Sequence, residues 1–122
     1  MLTILYVDDE PINLLLFERM FNKKYHVITV ESGVEGLEIL KERPEIELVI
    51  SDMKMPQMNG IDFIAQARRL CPEIQYYILT GYEVTTPIQE ALNSGLILKY
   101  FRKPFNMHEI DNTITGNLKK KA

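Results

Sequence analysis

The carboxylates of this 122-residue chain that stand directly after apolar runs lie in two compact places, Asp8-Asp9-Glu10 near the start and a solitary Asp52 followed by Met53-Lys54-Met55-Pro56. Two more polar positions close apolar runs, Thr80 before Gly81 and Lys103 before Pro104. Carboxylates drawn together repel one another, and a hard divalent cation such as Mg2+, which prefers oxygen ligands and keeps several waters, is the usual remedy. A lysine beside them offers a point charge to carboxylate or phosphoryl oxygens, and a threonine hydroxyl can donate a hydrogen bond to the same group. These are the parts that phosphoryl transfer needs. The acceptor can itself be a carboxylate, because Asp can act as a nucleophile and form an aspartyl phosphate. Asp52 suits that role because it stands alone, whereas Asp8 and Asp9 come as a pair suited to a metal. In-line attack leaves little further covalent chemistry for the protein. Gly81 leaves room for the phosphoryl group.

Whether these residues meet depends on the elements that carry them. Five short apolar runs, Thr3 to Val7, Val27 to Val30, Leu48 to Ser51, Tyr76 to Thr80 and Ile97 to Phe101, have strand length and little alternation, as strands buried on both faces of a parallel sheet do. Helical patterns lie between them. Pro11 to Phe21 opens with a first-turn proline and repeats apolar residues at Leu14, Leu15, Phe17 and Phe21. Ser32 can cap a helix from Val34 to about Glu42, with Val34, Leu37 and Leu40 on one face and Pro44 at its end. Ile61 to Leu70, Ile88 to Asn93 ending near Gly95, and Met107 to Leu118 with Ile110, Ile114 and Leu118 in phase complete the set. Five strands alternating with five helices predict one α/β domain over residues 1–122, a parallel sheet with helices on both faces and right-handed crossovers. In such open sheets ligands bind outside the carboxyl ends of the strands, and Asp8-Asp9-Glu10, Asp52, Thr80-Gly81 and Lys103-Pro104 each follow or end a run.

Composition excludes several alternatives. With 46% hydrophobic and 25% charged residues the chain is an ordinary globular one, and disorder is ruled out. One cysteine, Cys71, cannot form an internal bridge, and His26 and His108 lack zinc-ligand spacing, which points to a reducing cytoplasmic setting without His- or Cys-based metal chemistry. Fourteen Lys and Arg against seventeen Asp and Glu leave a net charge of −3, which disfavours direct nucleic-acid binding. No apolar run approaches the roughly 18 residues of a membrane span, and the start lacks the pattern of a signal peptide.

Val7-Asp8-Asp9-Glu10, Ser51-Asp52-Met53-Lys54-Met55-Pro56 with Gly60 following, Thr80-Gly81 and Lys103-Pro104-Phe105 together resemble the receiver domain of two-component response regulators, over essentially the whole chain. The resemblance implies a flavodoxin-like (βα)5 three-layer sandwich with a five-stranded parallel sheet in the order 2-1-3-4-5. It implies that Asp52 accepts a phosphoryl group from a sensor histidine kinase or a histidine phosphotransfer protein. Asp9, Asp52 and the backbone carbonyl of Lys54 would bind Mg2+ directly, with Asp8 acting through water and electrostatics, while Thr80 and Lys103 would hold the phosphoryl oxygens. The Lys103-Pro104 bond would be cis, aiming the lysine into the pocket. Thr80 and Tyr100 would form the switch that remodels the surface of the fourth helix, fifth strand and fifth helix. Phe101 is the alternative to Tyr100, because the stretch from Gly95 to Lys103 is one residue longer than in the commonest receivers. A large Tyr82, two places after Thr80, would shield the acyl phosphate from water.

The resemblance also implies that the only reaction catalysed is the domain's own phosphorylation and dephosphorylation, with no outside substrate. The downstream target is unspecified: either the receiver acts by binding, a phosphorylation-dependent homodimer included, or an output domain lies elsewhere in a longer regulator or hybrid kinase. A Mg2+-dependent phosphatase working through an aspartyl phosphate would share the chemistry. Such enzymes generally carry a second acid two residues after the nucleophile, where this chain has Lys54. A receiver-shaped module that no longer takes phosphate is opposed by the complete set Asp8, Asp9, Asp52, Thr80 and Lys103.

Overall fold

The elements of a computed structural model run β1 (Thr3–Val7), α1 (Pro11–Phe21), β2 (His26–Val30), α2 (Gly33–Glu42), β3 (Ile46–Asp52), α3 (Gly60–Leu70), β4 (Gln75–Thr80), α4 (Thr86–Ser94), β5 (Lys99–Arg102) and α5 (Met107–Lys121). The structure describes residues 1–81 and 84–121. Tyr82 lies outside the described residues, as do the side chains of residues 118–121, and with them the place of Leu118 on its helix face. Every strand pairing is parallel, in the order β2-β1-β3-β4-β5, the flavodoxin-like arrangement. Alternate residues of the central strands divide between two cores. Leu5, Val7, Val49 and Ile78 pack with Leu40, Phe63, Ala67 and Ile88 beneath α2, α3 and α4. Ile4, Tyr6, Ile50 and Tyr77 pack with Leu14, Phe17, Ile110 and Ile114 beneath α1 and α5. Three layers result, and the continuous apolar run of β1 follows from having both faces covered.

Four local expectations need correction. β2 is an edge strand whose His26 is exposed and whose Val27, Ile28 and Thr29 are only partly covered, so it is not buried on both faces. The fifth strand covers Lys99–Arg102 rather than Ile97 to Phe101. There Gly95, at φ 80°, turns the chain out of α4, and the N–H groups of Leu96 and Ile97 donate back to the Ala91 carbonyl, completing the helix end before the ladder begins. On α1 the inward stripe is Leu14, Phe17 and Phe21, leaving Leu15 outside. On α2, Val34 is half exposed and the buried positions are Gly33, Gly36 and Leu40. A Cβ on Gly36 would lie 2.7 Å from the Phe63 ring, so a glycine lets α2 close on α3 where an apolar count sees nothing.

The cap of α2 matches expectation. The Ser32 hydroxyl accepts from the Glu35 N–H at 3.1 Å at the start of α2, and Cys71 caps the end of α3. Met55 is buried, and Met53 and Met58 pack against the same core, so the methionines around the Asp52 loop act as packing.

Candidate functional site

The sheet register gathers the chemistry at one edge. Val7 pairs with Ser51, Asp52 with Leu79 and Thr80 with Arg102, so the carboxyl ends of β1, β3, β4 and β5 finish level with one another. Asp52 and Thr80 are the last residues of their strands, and Asp8 and Lys103 each follow theirs by one. Asp52, Thr80 and Lys103 open on a cavity of about 360 Å3 lined also by Asp9, Glu10, Met53, Lys54 and Gly81, whereas Asp8 is buried and outside its lining. A larger hollow of about 590 Å3 at the opposite sheet edge, around Leu40, Ile46, Leu70 and Cys71, holds none of these residues.

Asp8, Asp9 and Asp52 each bring a carboxylate oxygen within 4.8 Å of the others. The Lys103 ammonium lies 3.0 Å from Asp52 Oδ1 and 3.5 Å from Asp8 Oδ2. Asp8 is fully buried; its Oδ1 accepts from the Glu10 N–H at 3.0 Å, closing the turn into α1, and its Oδ2 accepts from the Tyr6 hydroxyl at 2.7 Å. Three converging hard oxygens with one ammonium between two of them leave surplus negative charge, the donor set Mg2+ fits. Burial is the main reason the Asp52 carboxyl is pushed up to about 6; the Asp8 and Asp9 charges add to it, while the Lys103 hydrogen bond and charge oppose it. Burial pulls the Lys103 ammonium down, but the hydrogen bond and charge of Asp52, then Asp8, outweigh it and hold its pKa above the ordinary range.

A buried acid titrating near 6 has a consequence for stability. Between its ordinary value of 3.8 and about 6 the folded chain keeps a proton that the unfolded chain has released, so rising pH favours the unfolded state. This contribution of Asp52 therefore costs nothing below pH 3.8 and reaches its full size above about 6. Urea titrations without divalent cations should show a component of stability that falls from about pH 4 to pH 6 in the wild type and is absent in Asp52→Asn. A wild-type curve no steeper than the variant's in that window would contradict the burial of Asp52.

Asp8, Asp9, Asp52, Lys54, Thr80 and Lys103 all reach this edge, whereas Tyr100 lies on β5 opposite Ile78 and is half buried. Phe101 is a core ring, 1% exposed and stacked on Tyr77 at 5.7 Å between centroids. The Lys103-Pro104 bond is cis. Glu10, named with Asp8 and Asp9 in the sequence, lines the cavity at the N-cap of α1 without a side-chain capping bond. One contributor escaped the sequence reading. Tyr6 counted only as a core residue, although residues two apart on a strand share a face and could have linked it to Asp8.

A family model for the response regulator receiver domain matches residues 4–115. Sporulation initiation phosphotransferase F of Bacillus subtilis is 36% identical over 121 residues, covering 98% of this chain and 95% of the relative. The transcriptional regulatory protein GlrR of Escherichia coli is 33% identical over 98% of this chain, which spans only 27% of that protein's length. Among solved structures, the response regulator protein TrrA of Thermotoga maritima in complex with Mg(2+)-BeF superposes with a TM-score of 0.81 at 28% identity, covering 95% of this chain and 98% of that one. The topology, the arrangement of carboxylates and lysine at one sheet edge, and these likenesses agree, and the chain belongs to the response regulator receiver domain family of two-component signalling systems.

Proposed function

We propose that this chain is a phosphorylation-dependent switch whose phosphoacceptor is Asp52. One observation carries the reading: the Asp52 carboxylate ends a central strand in a cavity that also holds Thr80 and Gly81, with Lys103 3.0 Å from its Oδ1. Asp9, Asp52 and the Lys54 carbonyl would hold Mg2+, with Asp8 behind them. When bound, the ion supplies the positive charge that offsets charge developing on the transferring oxygens. An Asp52 oxygen attacks the donor's phosphorus while the donor's leaving group departs in line, and the product is an aspartyl phosphate. Lys103 exchanges part of its pairing with Asp52 for a phosphoryl oxygen, and the Thr80 hydroxyl donates to another. Only the domain's own side chain is modified, so it is a switch rather than an enzyme with an outside substrate.

Thr80 and Tyr100 are the pair that would relay the change, because Phe101 is committed to the core and Tyr100 is not. Leu98 and Met107 are exposed near β5 and α5, in keeping with an output surface there, used for a downstream target or a second copy. The donor is a sensor histidine kinase or histidine phosphotransfer protein. Beside the cavity, α1 turns Ile12, Leu15 and Leu16 to solvent, an apolar patch suited to receive that protein. No helix among the described residues is long and apolar enough to cross a membrane, and a cytoplasmic setting suits this exchange.

Intact-mass spectrometry after incubation with acetyl phosphate and Mg2+ tests the reading. The expected result is the gain of one phosphoryl group that hydroxylamine removes, since hydroxylamine cleaves acyl phosphates and leaves Ser, Thr and Tyr phosphoesters intact. A hydroxylamine-stable adduct, or none, would overturn it.

A further inference from the structure

Asp8 differs from the other carboxylates of the pocket in being 0% exposed and absent from the cavity wall. A buried carboxylate is tolerable only when its oxygens are satisfied. One donor to Oδ1 is the Glu10 N–H, and the short donor to Oδ2 is the Tyr6 hydroxyl at 2.7 Å, with Lys103 more distant at 3.5 Å. The neutral phenol thus takes the near position on Asp8, and the ammonium leans toward Asp52 at 3.0 Å. Tyr6 is itself held firmly. It is fully buried in β1, its ring stacked on Phe17 of α1 at 4.2 Å and edge-on to Phe105, two residues beyond Lys103, at 6.4 Å. No step of the phosphoryl transfer uses this hydroxyl.

We propose that Tyr6 is a positioning residue of the acidic pocket, whose hydroxyl fixes the Asp8 carboxylate behind the cation site, leaves Lys103 on Asp52, and thereby sets the affinity for Mg2+. The inference rests on the phosphoacceptor reading above. Groups that hydrogen-bond to metal-site carboxylates from behind orient them, and their loss typically weakens metal binding about 10- to 100-fold. Without the Tyr6 hydroxyl, Lys103 is the nearest remaining donor for Asp8 Oδ2, which draws it from Asp52.

Tyr6→Phe keeps the ring and its stacking and removes only the hydroxyl. In calorimetric titrations of the whole chain with MgCl2 at constant ionic strength, the variant should bind Mg2+ about tenfold more weakly than wild type. Asp8→Asn supplies the second arm. Because Tyr6 acts through Asp8, adding Tyr6→Phe to Asp8→Asn should weaken binding no further. Equal Mg2+ affinity in wild type and Tyr6→Phe would overturn the role of Tyr6 alone. An equal loss in both backgrounds would also overturn it, as a general packing defect repeats whether or not Asp8 is present. A wild-type chain that takes up no Mg2+ would instead fail the phosphoacceptor reading itself, and the inference with it.

Discussion

Asp52→Asn is expected to abolish phosphoryl uptake and, without Mg2+, to make the fold more stable than wild type. The first effect follows from the nucleophile. An amide in place of the carboxylate offers no charged oxygen to attack phosphorus, while Lys103 and Thr80 remain to bind a donor without reacting. Under conditions where the wild type gains a hydroxylamine-labile phosphoryl group, the variant should gain none. The second effect follows from burial. Asp52 is 5% exposed and its carboxyl is pushed up to about 6, so at neutral pH the folded chain carries a charge it is poorly placed to hold. Set against the ordinary 3.8, holding it costs up to about 3 kcal/mol. The neutral amide removes that cost, although it leaves Lys103 with Asp8 as its carboxylate partner, so the gain is bounded by that figure. Urea unfolding at pH 7.5 should show a higher midpoint for Asp52→Asn at unchanged slope. Mg2+ should stabilise the wild type by mass action and narrow the gap. A variant that still takes a hydroxylamine-labile phosphoryl group would displace Asp52 from its role, and one less stable than wild type would show that its charge is well solvated.

Gly60→Ala is expected to damage both the fold and the acceptor. Gly60 opens α3 directly against the segment that leaves β3, its N–H donating to the Met53 carbonyl at 2.8 Å. A Cβ at this position would stand 2.4 Å from the Asp52 carbonyl oxygen, 2.7 Å from Ile78 Cδ1 and 3.1 Å from Met53 Cα. The isoleucine tip can rotate, but the backbone of residues 52 and 53 cannot give way without moving either α3 or Asp52 itself. Overpacking of this kind costs about 1–3 kcal/mol, and the upper end applies where the clash is with backbone. Displacing a reacting group by about 1 Å can slow its reaction roughly 100-fold. Gly116→Ala is the matched control. That glycine lies within α5, and a Cβ added to it would meet nothing within 4 Å, so alanine should stabilise the helix by about 0.8–1 kcal/mol. Urea midpoints moving in opposite directions for the two variants, with phosphoryl uptake slowed only by Gly60→Ala, would fit the close approach. Equal behaviour would refute it.

Much of this was legible in the chain itself. Central strands covered on both faces must be apolar throughout, so β1, β3 and β4 announced a parallel sheet, and polar residues that end such runs could lie only at its carboxyl edge. The pocket residues Asp8, Asp9, Asp52, Thr80 and Lys103 were legible for that reason, and Ser32 and Gly95 because capping is local chemistry. Other features were decided only by tertiary packing. The apolar patterns of α1 and α2 could not rank Leu15 against Leu14 or reveal Gly36 as a contact, because the inward face is chosen by the neighbouring element and a glycine's use is the ring it admits. The onset of β5 depended on how the last carbonyls of α4 are satisfied, and Phe101 rather than Tyr100 became core because it stacks on Tyr77, diagonal to it on β4 and on the same sheet face. The lean of Lys103 toward Asp52, at 3.0 Å against 3.5 Å to Asp8, is set by side chains from separate strands and loops that meet only when the sheet closes, whereas the bond from Tyr6 to Asp8 joins two residues of one segment. Residue types and their order therefore specify which groups reach the edge, and three-dimensional packing specifies which of them touch.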